Sequence, residues 1–263
     1  MRSYRLNELE AYILAKRTVS IDEVCSTFNV SKNTVRRDLA ELEKRGNVSR
    51  VYGGVTVTNA GALAPFEERE AQNKTGKEEI GELAAGFVEN GDTIFVDSGT
   101  TTVELIPNLV KLKDVTVITH SMLVLSLATK YPNLTVVAIG GQYNPSTASF
   151  FASETMTEIE RFFIRKAFIS STGLTIEAGL TNHTYQEMMV KNKIMERSNK
   201  LLLMVDSSKI GKNASRSVCP MSVLDVFITD RCPPKNVLDH CREHGIEVIY
   251  PKSASELKKR SEQ

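Results

Sequence analysis

From residue 93 to residue 249 the chain repeats one alternation: a short apolar run, a turn, then an amphipathic stretch. The runs at 93–96, 115–118, 134–139, 167–169, 201–205, 226–228 and 247–249 are strand-length and bounded by turn residues. Segments 102–112, 122–130, 184–197 and 235–243 carry helical spacing between them. Strands alternating with helices specify an α/β fold built on a mainly parallel sheet. In such sheets ligands collect at the carboxyl ends of the strands.

The first sixty residues follow another pattern. Leu6, Leu9, Ile13 and Leu14 space as one apolar helical face. Ser20 and Glu23 form a capping-box signature, opening a helix that turns Val24 and Phe28 inward. After the short connector Asn29-Val30, Ser31 caps a third helix that runs to Gly46. Val35, Leu39 and Leu42 share its core face, which leaves Asn33, Arg37, Ala40 and Lys44 opposite and Arg36 on the flank. Two helices joined this closely cross steeply, as in a helix-turn-helix. The run 48–57, broken by Gly53-Gly54, reads as two short strands, a wing whose Arg50 and Tyr52 reach toward a sugar–phosphate backbone. Ser31, Lys32, Asn33, Thr34, Arg36, Arg37, Arg50, Tyr52 and Gly53 are therefore the expected contacts to double-stranded DNA. Residues 1–60 hold ten Lys/Arg against seven Asp/Glu in a chain whose net charge is only +1, which suits a specific binder better than a bulk nucleic-acid coat.

The expected division is a winged helix-turn-helix at 1–57, a linker at 58–76, an α/β sensing domain at 77–252 and a charged tail at 253–263. The linker begins small and turn-rich, and a charged helix from about Glu67 to Glu89 follows, broken near Gly76. Apolar runs are too short for a transmembrane helix. The N-terminus leads into an amphipathic helix rather than a signal peptide, and four scattered cysteines without CxxC spacing read as reduced thiols. The expected location is the cytoplasm.

Four marked segments follow strands. Asp97, Gly99, Thr100 and Thr101 lie in a loop that opens a helix, where amides, hydroxyls and the positive helix end cradle an anion, most simply a phosphate. His120, the pair Gly140-Gly141 and Lys209 follow three further strands, and Glu187 opens a later helix. Together they would hold a phosphorylated, hydroxylated small molecule: threonines and Lys209 on the phosphate, carboxylates accepting from hydroxyls. Four bland roles compete, the first that Lys209 is an ordinary surface lysine. Thr100 or Thr101 can simply cap the helix, Glu187 can complete a capping box with Thr184, and Gly140-Gly141 can be a tight turn.

The segments 30–39, 50–54 and 92–101, with Gly140-Gly141 and 206–209, make the chain resemble the DeoR family of bacterial transcription regulators from about Leu6 to Ile249. The resemblance implies a winged helix-turn-helix joined to a sensor domain related to sugar-phosphate isomerases. It further implies repression of a carbohydrate-catabolism operon, relief by a phosphorylated intermediate, and a homo-oligomer, dimer or tetramer. Three positions depart from the family's habit: His120 where Asn is frequent, Lys166 where Asp is common, and Pro107 inside the helix after the phosphate loop. The first two are expected to retune effector choice, the third to kink its helix.

Two other functions compete with this one. A sugar-phosphate isomerase would ask Asp97, Glu187 or Asp206 for acid–base work, but no dedicated catalytic pair stands out and a plain enzyme has no use for the N-terminal domain. His240, Glu243 and His244 match H-x-x-E-H, yet they read as a solvated helix face. The expectation is a non-enzyme without metal or cofactor.

Overall fold

The computed structural model describes residues 2–16, 18–44, 48–51, 53–57 and 66–251. Gly46, Tyr52, segment 58–65 and the tail from Lys252 lie outside the described residues, as do the side chains of Leu14 and Lys44. The chain divides into two compact units, Met1–Leu63 and Ala64–Gln263.

In the first unit, α1 (Arg2–Lys16), β1 (Thr18–Ser20), α2 (Ile21–Phe28), α3 (Lys32–Lys44), β2 (Val48–Val51) and β3 (Gly54–Val57) follow in order. Leu6, Leu9, Ile13, Val24, Val35, Leu39 and Leu42 close one core with Val19, Val48 and Val55. The wing is three-stranded, because β1 pairs with β3 on the side away from β2. This strand was not expected: three residues between two helices show no alternation to read. The capping box is half made. Ser20 Oγ accepts from the Glu23 amide at 3.1 Å, but the Glu23 carboxylate turns toward α1, where the Tyr12 hydroxyl donates to it at 3.0 Å.

The second unit opens with α4 (Phe66–Ala71) and α5 (Lys74–Ala85). The helical break falls at Asn73, which is left-handed at φ 51, whereas Gly76 is buried inside α5. Part of the stretch assigned to the linker is thus packed helix. Then come β4 (Thr93–Val96), the 3₁₀ helix Thr102–Leu109, β5 (Val115–Thr119), α6 (Met122–Ala128), β6 (Leu134–Ala138), β7 (Gln142–Asn144), β8 (Ser149–Phe151) and α7 (Thr155–Glu160). After them run β9 (Ile164–Ile169), β10 (Gly173–Thr175), β11 (Gly179–Asn182), α8 (Tyr185–Arg197), β12 (Ser198–Met204), a short 3₁₀ turn Ser207–Lys209, β13 (Arg216–Cys219), β14 (Val226–Ile228), α9 (Lys235–Glu243) and β15 (Glu247–Ile249). Pro107 does more than kink its helix. It removes the amide an α-helix needs there and crowds the carbonyl four residues back, and the segment winds as 3₁₀ instead.

Seven strands form one parallel sheet in the order β15-β14-β12-β9-β4-β5-β6. Alternate side chains feed two cores. Phe95, Leu201 and Leu203 pack with residues of α8 and α9, while Ile94, Val96 and Leu202 pack with α5, α6 and the 3₁₀ helix. The chain steps outward from β4 through β5 to β6, then returns to β4's other edge with β9. The strand order therefore reverses between β4 and β9, and the crevice beyond their carboxyl ends is where such sheets bind ligands.

Candidate functional site

At that reversal the loop after β4 meets the loop after β9. The Asp97 amide donates to the Phe168 carbonyl at 3.0 Å, and the Ser170 amide donates to Asp97 Oδ2 at 3.0 Å. A Cβ on Gly99 would stand 2.6 Å from Ser170 Cβ, so only glycine lets the two loops approach this closely. The Thr102 hydroxyl reaches the Asp97 and Gly99 carbonyls at 2.8 and 2.9 Å and pins the start of the 3₁₀ helix. Thr101 makes no side-chain cap there. Among the described residues, the amides of Ser98, Gly99, Thr100 and Thr101 donate to no protein acceptor. Such a row of unpaired N–H groups at a helix start offers hydrogen-bond donors of the kind anions accept from.

Asp97, Gly99, Thr100, Thr101, Glu187 and Lys209 line one small cavity, with Arg69, Asn182 and Lys191 among its other walls. Its volume is about 30 Å³. Burial lowers the affinity of the Lys209 and Arg69 cations for their protons. A larger cavity of about 340 Å³ adjoins it, sharing Thr147 and Glu187 and walled by His120, Tyr143, Phe150 and Gln186. The β7–β8 hairpin forms its side. The sequence reading missed the hairpin, Lys191 and Arg69. Lys191 lies in mid-helix and Arg69 in a stretch taken for linker, and no local pattern marks either.

Lys191 Nζ sits 2.8 Å from Asp97 Oδ2, both side chains buried. Burial opposes ionisation of Asp97, but the Lys191 ammonium holds its carboxyl below the usual carboxylate range. Among the described residues, Asp97 Oδ1 and Asn182 Oδ1 have no hydrogen-bond partner, so two buried acceptors remain open. His120 stacks on Phe95 at 5.7 Å with Nδ1 unpartnered, and burial pushes its imidazole down to about 4. It is a neutral ring near pH 7.

The remaining effector candidates divide. Glu187 completes the capping box with Thr184, and Asn182 Nδ2 donates to its other oxygen at 3.1 Å. Its carboxylate is occupied by protein donors while its side chain borders both cavities. Gly140 and Gly141 line neither cavity. Gly141, at φ 143 and with a Cβ position 2.5 Å from the Phe151 carbonyl carbon, makes the turn into β7. Lys166 is also elsewhere. It donates to buried Asp92 Oδ2 at 2.7 Å near the sheet's amino end, so its departure from the family's habit serves packing rather than effector choice. Asp206 caps the turn after β12 by accepting from the Ser208 amide. Each of Asp97, Glu187 and Asp206 thus has at least one protein partner, while Asp97 Oδ1 stays open.

In the first unit the face of α3 opposite its core carries Asn33, Arg36 and Arg37, all exposed. Ser31 Oγ caps the helix, accepting from the Thr34 amide at 3.3 Å, and shares a 3.0 Å hydrogen bond with the Thr34 hydroxyl. Lys32 pairs with Asp22 at 2.6 Å. Arg50 donates from Nε to Glu43 at 2.8 Å, which ties the wing to the recognition helix. Gly53 turns the wing at φ 77, and its carbonyl accepts from the Ile21 amide at 3.0 Å. Buried Asp38, unnoticed in the sequence, takes Arg5 Nε at 2.9 Å and joins α3 to α1.

His240, Glu243 and His244 bring ligand atoms within 4.8 Å of one another on α9. His244 Nδ1 donates to the His240 carbonyl at 2.9 Å. They border none of the cavities described above. No helix among the described residues is long and apolar enough to cross a membrane.

Comparison with known proteins identifies the family. A family model described as "DeoR C terminal sensor domain" matches residues 72–231, and one described as "DeoR-like helix-turn-helix domain" matches residues 5–60. The chain is 38% identical over 248 residues to the HTH-type transcriptional regulator IolR of Bacillus subtilis (strain 168), covering 94% of this chain and 99% of that one. It is 27% identical to the glycerol-3-phosphate regulon repressor of Escherichia coli (strain K12), covering 94% and 98%. A D-ribose-5-phosphate isomerase in complex with phospho-erythronic acid aligns over 52% of this chain and 54% of its own at 15% identity, with a TM-score of 0.40.

Proposed function

Because the chain belongs to the DeoR family of transcription regulators, we propose that it represses a carbohydrate-catabolism operon and leaves its operator when a phosphorylated sugar or polyol fills the crevice beyond β4 and β9. Relatives named as repressors act on the glycerol-3-phosphate regulon and, putatively named so, on the aga operon, which supports the substrate class. The observation that carries the reading is the row of four unpaired amides at 98–101 with Lys209 on the same cavity. Phosphate oxygens accept from amides, hydroxyls and ammonium together, and a helix start adds a favourable dipole. The open acceptors Asp97 Oδ1 and Asn182 Oδ1 then take ligand hydroxyls, and the larger cavity holds the carbon chain.

On this reading α3 enters the major groove, with Asn33, Arg36 and Arg37 at base edges and phosphates and Arg50 on the flanking backbone. One such helix reads a short half-site, so the working form is a symmetric homo-oligomer in the cytoplasm. The protein is a sensor rather than an isomerase. Thermal-shift screening of phosphorylated sugars against their unphosphorylated parents tests the proposal, since a ligand of the native state raises the melting temperature by mass action. A rise with the phosphorylated members alone is expected. Equal rises with the parents would remove the phosphate site.

A further inference from the structure

We propose that Arg69 is the residue through which α4 reads the occupancy of the anion cavity, an inference that rests on that cavity being a phosphate site. Its side chain lines the cavity with Thr100, Thr101 and Lys209. Its backbone belongs to α4, the first element after segment 58–65, which joins the two units in sequence. Sensing and transmission therefore share one residue.

The donors around the cavity supply the reason for movement: a phosphate at the 98–101 amides competes for groups that now hold protein acceptors. Asp97 and Lys191 are locked together in the interior, and Gly99 is pressed against Ser170. Arg69 is the wall on a short, separate helix. Its guanidinium donates to the Ser146 carbonyl at 2.7 Å, on the exposed turn of the β7–β8 hairpin. Its own carbonyl accepts from Lys77 Nζ, and the Thr100 hydroxyl reaches it at 3.5 Å. Lys77 is a buried ammonium facing the Arg69 and Glu70 carbonyls at the end of α4.

A doubly charged anion is a stronger acceptor for a guanidinium than a neutral carbonyl. An arriving phosphate draws Arg69 from Ser146 and takes the Thr100 hydroxyl from the Arg69 carbonyl. Two of the ties that hold α4, one to the β7–β8 turn and one to the loop after β4, are exchanged for ties to ligand. The helix shifts, and with it Phe66, the first described residue after segment 58–65. Lys209 reaches the same anion from the turn after β12, outside α4, and carries no such message.

Hydrogen–deuterium exchange of the full-length chain with inorganic phosphate, alongside calorimetric binding, separates these roles. At phosphate saturation the wild-type amides of 66–71 should change exchange rate by at least about threefold. Lys209→Met should bind phosphate about tenfold more weakly yet show the same change once saturated. Arg69→Met should also bind more weakly, but its α4 exchange at saturation should match its own unliganded rate. Arg69→Lys, which keeps the charge without the planar fork, gives the same readout if the methionine variant does not fold. An unchanged α4 in saturated wild type, or an equal change in the Arg69 variants, overturns the proposal while leaving the phosphate site intact. Failure of phosphate to bind wild type at all overturns both.

Discussion

The Lys191 ammonium and the Asp97 carboxylate meet at 2.8 Å with each side chain only 2% exposed. The pair joins α8 to the loop after β4 at the point where the strand order reverses. Removing one partner leaves an uncompensated buried charge. Lys191→Met should therefore cost about 3–5 kcal/mol of folding stability, and the double variant Asp97→Leu/Lys191→Met should recover most of it. Urea denaturation of the two single variants and the double checks this. A Lys191→Met loss below about 0.5 kcal/mol would mean that the charges are hydrated rather than paired.

His120 predicts a pH dependence. Its folded value, about 4, lies below the ordinary 6.5 because burial disfavours the imidazolium. Between those values the unfolded chain binds the extra proton and the folded chain does not. The associated stability is complete above pH 6.5 and is lost as pH falls toward 4, by about 2 kcal/mol between pH 7 and pH 5. His120→Phe should lose correspondingly less over that interval, and paired denaturation curves at the two pH values measure the difference. Identical pH slopes would show that the ring is not buried neutral.

The recognition helix separates binding from folding by position. Arg36→Ala with Arg37→Ala should abolish operator binding and leave the melting temperature nearly unchanged, because both side chains are exposed. Asp38→Ala, one residue further, should instead destabilise the first unit by about 1–3 kcal/mol, since it strips Arg5 of a buried partner. Gel shift and thermal melts on the same preparations distinguish the two. A double-arginine variant with wild-type affinity would exclude α3 as the reading helix.

Much of the fold was legible because it rests on local periodicity. The runs at 226–228 and 247–249 and the helix at 235–243 end where their patterns end. What escaped was short or non-local. The β7–β8 hairpin has three-residue strands and an exposed turn, so no alternation marks it. Lys191 looks like any helix-surface lysine until the sheet brings Asp97 beneath it. Arg69 is one charge among several in Phe66–Ala71. The loop at 97–101 could be read because its chemistry is local: a strand end, a glycine, two hydroxyls and a helix start. Gly140-Gly141 also follows a strand, but the neighbour of Gly141 is the Phe151 backbone, a contact that is distant in sequence.

The central claim is that a phosphorylated ligand held at 98–101 and Lys209 releases the protein from DNA. The most direct measurement is fluorescence anisotropy on an operator selected from random DNA. Wild type and Lys209→Ala are titrated with the phosphorylated sugar that raises the melting temperature most. An effector acts only through its differential affinity for the two states, and the coupling is reciprocal. The account predicts equal DNA affinity for both proteins without ligand, release of wild type on titration, and a release midpoint for Lys209→Ala displaced upward by about tenfold. Equal midpoints for the two proteins, or a wild-type complex that the ligand leaves intact, would contradict it.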